Sequence, residues 1–135
     1  MRTLLLITVA TLAIACSKKD ATSGSDTKVP EVTIEQLDAM LAKKECVAVD
    51  ANGDGTRKKM GVVPGAILLT DSDTFKDSEL GTDKTKGLVF YCASTTCGAS
   101  HKAAEKALTA GYTNVKVLPE GIAGWVKANK TVQKI

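Results

Sequence analysis

The chain has 135 residues, of which 44% are hydrophobic and 24% charged, ordinary proportions for a globular protein. Its formal net charge is +3 and aromatic side chains make up 4%. A dedicated nucleic-acid binder concentrates basic side chains on one face or offers aromatic stacking platforms, so no nucleic-acid partner is expected. The first element is an export signal at residues 1–15. Arg2 is followed by an apolar run of 12 residues, Leu4 to Ala15, ending in small side chains before Cys16. A membrane-spanning helix needs about 20 apolar residues, so this run is read as a signal rather than a span. Its removal leaves 120 residues with 17 basic and 15 acidic side chains, enough for one domain.

Ala13-Ile14-Ala15-Cys16 resembles the lipobox of bacterial lipoproteins, with Ala13 where that motif usually has leucine. The resemblance implies that Cys16 is lipidated and becomes the new N-terminus. Each buried acyl methylene contributes roughly 0.8 kcal/mol, so several chains would anchor the protein stably. The implied location is the periplasmic side of a bacterial cell envelope, and Ser17 after the cysteine favours the outer membrane. Membrane contact would run only through Cys16. The alternative is an ordinary signal peptide with an incidental cysteine. Residues 16–30 are rich in Ser, Thr, Lys, Asp and Gly and nearly lack apolar side chains, which predicts a flexible tether. The folded domain is expected at residues 31–135.

Thr33-Ile34-Glu35-Gln36 fits a capping box, and Leu37, Met40 and Leu41 follow at helical spacing, predicting a helix over 34–43. Val47-Ala48-Val49 reads as a buried strand ending at Asp50. Residues 51–61 are polar with several glycines and read as a loop. Arg57-Lys58-Lys59 within it reads as solvated, and Asn52-Gly53-Asp54-Gly55 as a turn. Pro64-Gly65 marks another turn before a strand over 66–69. Residues 70–86 are irregular, with Phe75 and Leu80 as anchors to the core. A strand over 88–91, a helix over 99–110 stopped by Gly111, a strand over 115–118 and a short helix over 122–127 complete the chain. Strands that are unbroken apolar runs and alternate with helices predict an α/β fold. Its central sheet would be mainly parallel, with helices on both faces.

The most informative segment runs from Leu88 to Ala104. Cys92 ends a buried strand. Ala93, Ser94, Thr95, Thr96, Cys97, Gly98 and Ala99 make a loop of small residues, and a helix follows. Ligands of open α/β sheets bind outside the carboxyl ends of the strands. A tight loop and a helix N-terminus there bring amides and positive potential to one point, which favours a thiolate or an anion.

These residues resemble a single-domain rhodanese, a sulfurtransferase, over roughly residues 32–127. Asp50 matches the aspartate that opens the family's first loop. Gly61-Val62-Val63-Pro64-Gly65-Ala66 matches Gly-His-Ile-Pro-Gly-Ala, with Val62 for His. Val89-Phe90-Tyr91-Cys92 matches the strand ending in the catalytic cysteine, and Ser100, Ala103 and Ala104 the helix after it. Gly111-Tyr112, Val115, Leu118, Gly121 and Trp125 match the closing pattern. The resemblance implies a rhodanese-like fold and a Cys92 persulfide, with no cofactor. Cys92, Cys97 and His101 stand at a C-x4-C-x3-H spacing that is not a standard zinc pattern, and although thiolates suit Cu(I), no metal is expected. The implied substrate partners are a small sulfur-containing anion and a thiol acceptor. The common pattern is Cys-x-x-Gly-x-Arg-Ser, and here the interval from Cys92 to Ser100 is two residues longer, with Ala99 in the Arg position. No Lys or Arg lies between Cys92 and His101, so backbone amides alone would hold an anion. Phosphate- and arsenate-handling relatives depend on that Arg as well, so the resemblance does not extend to their activities.

Cys97 is the addition. It can resolve a Cys92 persulfide into a Cys92–Cys97 disulfide, close the loop as a structural disulfide, or stand as an independent thiol. The readings left open are a persulfide-handling sulfurtransferase, a thiol–disulfide redox protein using the same pair, and a non-catalytic binding module. Asp50 is expected to orient the loop or bond backbone amides, and His101 to support the loop or sit partly exposed on the helix. Cys46 and Trp125 read as core.

Overall fold

The computed structural model describes residues 28–135, so the expected signal, Cys16 and most of the expected tether lie outside the described residues. Helix α1 is Ile34–Ala42, strand β1 Cys46–Asp50, helix α2 Asp54–Met60 and strand β2 Ile67–Leu68. A 3-10 helix at Asp77–Leu80 precedes strand β3 Gly87–Tyr91, helix α3 Ala99–Thr109, strand β4 Val115–Leu118 and helix α4 Gly121–Lys127. The four strands form one sheet in the order β2-β1-β3-β4, and every pairing is parallel. The fold is therefore α/β with a parallel sheet, as the alternation of apolar runs and helices predicts.

Burial follows strand alternation. Leu88 and Phe90 of β3 pack with Val49, Val117, Ala103, Ala104 and Ala107 under α3. Val89 and Tyr91 face the other way, onto Leu37 of α1 and Ile122 and Trp125 of α4. All five residues of β3 are buried, the signature of a strand covered on both faces. The capping box forms as expected: Gln36 N–H donates to Thr33 Oγ1 at 3.2 Å, and Thr33 N–H to Gln36 Oε1 at 2.9 Å. Trp125 is core, with Nε1 donating to the Thr131 carbonyl at 2.8 Å. Val29 is buried against the α3 side, and Val117 N–H donates to the Pro30 carbonyl at 2.9 Å. The irregular segment is anchored by Phe75 and Leu80, both buried. It is clasped by Tyr112 Oη, which donates to the Asp77 and Gly81 carbonyls, and by Lys106 Nζ, which donates to the Phe75 carbonyl.

The structure corrects three expectations. Residues 51–61 are not all loop: Asp54–Met60 is helix α2, with Gly53 at its N-cap, where a turn was expected over 52–55. Arg57 is not solvated. It is 6% exposed, donates from Nε to Asp50 Oδ1 at 3.1 Å, and bonds the Asp50 and Leu69 carbonyls at 3.1 and 2.8 Å. No apolar stripe marks α2. It forms because its Arg57 replaces water for a buried carboxylate at the end of β1, while Lys58 and Lys59 stay exposed. Strand β2 is also shorter than the apolar run over 66–69.

Removing one partner of a buried pair leaves the other charge uncompensated, at a cost of roughly 3–5 kcal/mol. Arg57→Met is therefore expected to lower the urea midpoint strongly, whereas Lys58→Met leaves it nearly unchanged. Pairing Arg57→Met with Asp50→Asn recovers part of the loss. An Arg57→Met midpoint equal to that of Lys58→Met refutes the role of the pair.

Candidate functional site

The site lies at the carboxyl end of β3. Its parallel pairing with β1 runs from Cys46 opposite Gly87 to Asp50 opposite Tyr91, so both strands end together. Cys92 follows Tyr91 and carries its side chain to the α3 face, where it is 1% exposed. It is joined by a disulfide to Cys97, with a Cα–Cα distance of 6.3 Å. Of the open readings for Cys97, the structure therefore excludes two independent thiols.

Three contacts shape the loop over 93–99. Cys97 N–H donates to the Ser94 carbonyl at 3.0 Å, making a turn with Thr95 and Thr96 exposed at its tip. Ser94 Oγ and Thr96 Oγ1 are hydrogen-bonded at 3.1 Å. The start of α4 holds the other end: Ile122 and Ala123 N–H donate to the Cys92 and Ala93 carbonyls, each at 2.9 Å. Gly121 makes that approach possible. Its φ is +61°, and a Cβ there would lie 2.5 Å from the Cys92 carbonyl oxygen and 2.8 Å from the Ala93 carbonyl carbon.

The Cys92 sulfur has two polar neighbours. The Cys97 carbonyl oxygen lies 3.2 Å away and Ser100 Oγ 3.4 Å away. Ser100 is 1% exposed in the first turn of α3. In this disulfide form no backbone N–H among the described residues donates to the Cys92 sulfur. A disulfide is neutral and gives such donors little to bond. Ala93, Ser94, Cys97 and Ala99 are partly exposed, and Gly98 is exposed. The structure thus brings Cys92, Cys97, the loop and Ser100 together.

Other expected residues lie apart from the sulfurs. Asp50 is fully buried and serves the β1–α2 connection, accepting from Asn52 N–H at 2.7 Å and from Arg57. Its Oδ2 is buried without a hydrogen-bond partner. Burial pushes the neighbouring Tyr91 phenol far up, and the negative charge of Asp50 adds to it. Tyr91 Oη accepts from Val63 N–H at 3.0 Å, so the phenol ties the Gly61–Ala66 segment to β3. His101 Nε2 lies 3.6 Å from Glu31 Oε1, an exposed pairing that faces the start of the domain. Cys46 is a free, buried thiol whose pKa is raised by that burial. It stands at the start of β1, opposite Gly87, at the other end of the strands from Cys92. Among the described residues no set of three His, Cys, Asp or Glu side chains is placed to hold a metal ion, and no helix is long and apolar enough to cross a membrane.

The class defined by fold and site is a parallel α/β domain with a cysteine at a strand's carboxyl end and a loop leading into a helix. The rhodanese-like domain family matches residues 33–128, and the chain belongs to it. Solved structures agree. A protein of Bacillus halodurans is 28% identical with a TM-score of 0.68, over 78% of this chain and 77% of that one. The thiosulfate sulfurtransferase of Pseudomonas aeruginosa is 23% identical with a TM-score of 0.65, over 78% of this chain and 20% of that longer one. A human single-domain sulfurtransferase is 18% identical with a TM-score of 0.59, over 73% of this chain and 96% of that one. The last two likenesses concern the fold. No curated protein matches the sequence.

Sequence reading placed Ser100 and Gly121 only as matches to the family pattern and missed Arg57's part. Positive φ and close approach set Gly121 apart from Gly98, around which there is open space. Gly121→Ala is expected to destabilise by about 1–3 kcal/mol in urea unfolding, whereas Gly98→Ala stays near the parent. Equal midpoints for the two variants would refute the packing argument.

Proposed function

We infer that this rhodanese-like domain handles sulfane sulfur through Cys92 and resolves it with Cys97. The single observation that carries the reading is the Cys92–Cys97 disulfide within the loop between β3 and α3. The reduced Cys92 thiolate attacks the outer sulfur of a donor such as thiosulfate. A Cys92 persulfide forms and sulfite leaves with the electron pair of the broken S–S bond. Cys97 thiolate then attacks the Cys92 sulfur of the persulfide, whose outer sulfur carries a proton from solvent, and hydrosulfide departs with the electron pair of the broken S–S bond. Two thiolates are oxidised to one disulfide while the sulfane sulfur is reduced to sulfide. The second reading, thiol–disulfide exchange without sulfur transfer, is favoured by the same disulfide and differs in forming no persulfide.

Cys97→Ser should separate them. Pre-reduced Cys97→Ser, incubated with thiosulfate or a polysulfide, is expected to accumulate an adduct of about 32 Da on Cys92, the mass of one added sulfur. The parent should instead release one equivalent of sulfide and lose both thiols. Absence of the adduct with every donor rejects sulfur transfer. A Cys92→Ser variant that keeps the cellular phenotype would point to the non-catalytic module.

The same reading places the domain at the periplasmic side of a bacterial envelope, on a lipid anchor at Cys16, where disulfides persist. What supports it is the lipobox-like Ala13-Ile14-Ala15-Cys16. Cys16→Ala is expected to move the protein from the membrane fraction to the soluble fraction and to abolish incorporation of labelled palmitate. Unchanged fractionation and labelling reject the anchor.

A further inference from the structure

We propose that the Cys92–Cys97 disulfide is opened by an external dithiol that attacks Cys97, with Cys92 as the leaving thiolate held by Ser100. The proposal rests on the disulfide of the preceding reading and extends it to the reductant that restores the dithiol. Thiol–disulfide exchange requires a thiolate to reach one sulfur and the other sulfur to depart. The two sulfurs differ sharply in access. Cys92 is 1% exposed and packed in the core cluster with Phe90, Ala103 and Ala104. Cys97 is partly exposed and stands between the exposed Thr96 and Gly98. Cys97 packs against the same cluster but is the less buried of the two residues, which makes it the side nearer to solvent.

The leaving side is also prepared. Ser100 Oγ, itself buried, lies 3.4 Å from the Cys92 sulfur in the first turn of the 11-residue helix α3. A hydroxyl donated to a forming thiolate stabilises it, and the helix N-terminus adds to that. A better-stabilised thiolate leaves faster. The Cys97 carbonyl, 3.2 Å away, is placed to accept a hydrogen bond from the Cys92 S–H once Cys92 is a thiol.

The steps balance. One thiolate of the dithiol bonds to the Cys97 sulfur, and the Cys92–Cys97 bond breaks with its electron pair on Cys92. The reductant's second thiolate attacks its own sulfur in the mixed disulfide, and Cys97 departs as thiolate. The reductant leaves as a disulfide, having supplied two electrons, and solvent supplies any proton taken up by the cysteines. No charged side chain lies between Cys92 and His101, so reach rather than charge selects the reductant.

The test uses the oxidised full chain and glutathione as a monothiol probe, whose mixed disulfide cannot resolve itself. After a short reaction, acid quenching, alkylation with a maleimide and peptide mapping locate both groups. Glutathione on Cys97 and maleimide on Cys92, in roughly tenfold excess over the reverse, is expected for a buried against an accessible sulfur. Glutathione on Cys92, or an even distribution, overturns the proposal. Ser100→Ala should slow opening about tenfold and move the alkylation pH profile of reduced Cys92 upward, as loss of a hydrogen bond to a charged group predicts, while Ser100→Thr retains the parent profile. An unmoved profile in Ser100→Ala overturns the part assigned to Ser100. Glutathione on Cys97 without any 32 Da adduct from sulfur donors would leave this order of exchange standing and remove the sulfurtransferase reading instead.

Discussion

The site depends on how closely α4 approaches the end of β3. Two backbone hydrogen bonds, from Ile122 and Ala123 to the carbonyls of Cys92 and Ala93, decide where the loop begins and which way it departs. Those carbonyls are the ones that a continuing sheet would have used. By taking them, α4 ends the strand and turns the chain into the loop. Gly121 permits the contact because no side chain stands between the two backbones. The disulfide then closes the far end of the loop. A segment of small polar residues, with little apolar surface to bury, is thereby fixed at both ends by neighbours rather than by its own packing.

A second set of contacts supports the same edge from beneath. Asp50 and Tyr91 stand side by side at the ends of β1 and β3, on the face away from the Cys92 sulfur. Arg57 meets the Asp50 carboxylate, and Tyr91 Oη takes the Val63 amide. The charged pair therefore joins β1 to α2 and Leu69, and the phenol joins β3 to the Gly61–Ala66 turn. Electrostatics are thus spent on the scaffold. The loop above carries no charged side chain, and the Cys92 sulfur has the Ser100 hydroxyl and the Cys97 carbonyl as its polar neighbours.

Much of the fold was legible in the sequence, for physical reasons. Apolar runs at 47–49 and 88–91, and one at 115–118 interrupted only by Lys116, report strands of a covered sheet, and the Thr33–Gln36 capping box reports a helix start through local hydrogen bonds alone. Helix α2 was not legible. Its segment Asp54–Met60 has a glycine and a run of basic residues, and its stabilising contact reaches back to Asp50 and on to Leu69, which no local pattern encodes. The same holds at the site. Cys92 and Cys97 are visible as a spacing within a small-residue loop, and their closeness follows from a short loop. The partner of the Cys92 sulfur, Ser100, is one hydroxyl among several, and only the first turn of α3 singles it out.

Burial separates the three cysteines that the structure describes. Cys46 sits at the other end of the strands from the loop, a free thiol whose pKa burial raises. Cys92 is also shielded from solvent, yet it follows a strand and stands beside the first turn of α3 and the Ser100 hydroxyl. Cys97 has the access that Cys92 lacks. The function proposed above sets conflicting demands on access, because a buried thiol is asked to react with small molecules and still be regenerated by larger ones. In that proposal the demands divide between two sulfurs of one loop: small donors meet Cys92 once the disulfide is reduced, and a bulkier thiol touches only Cys97.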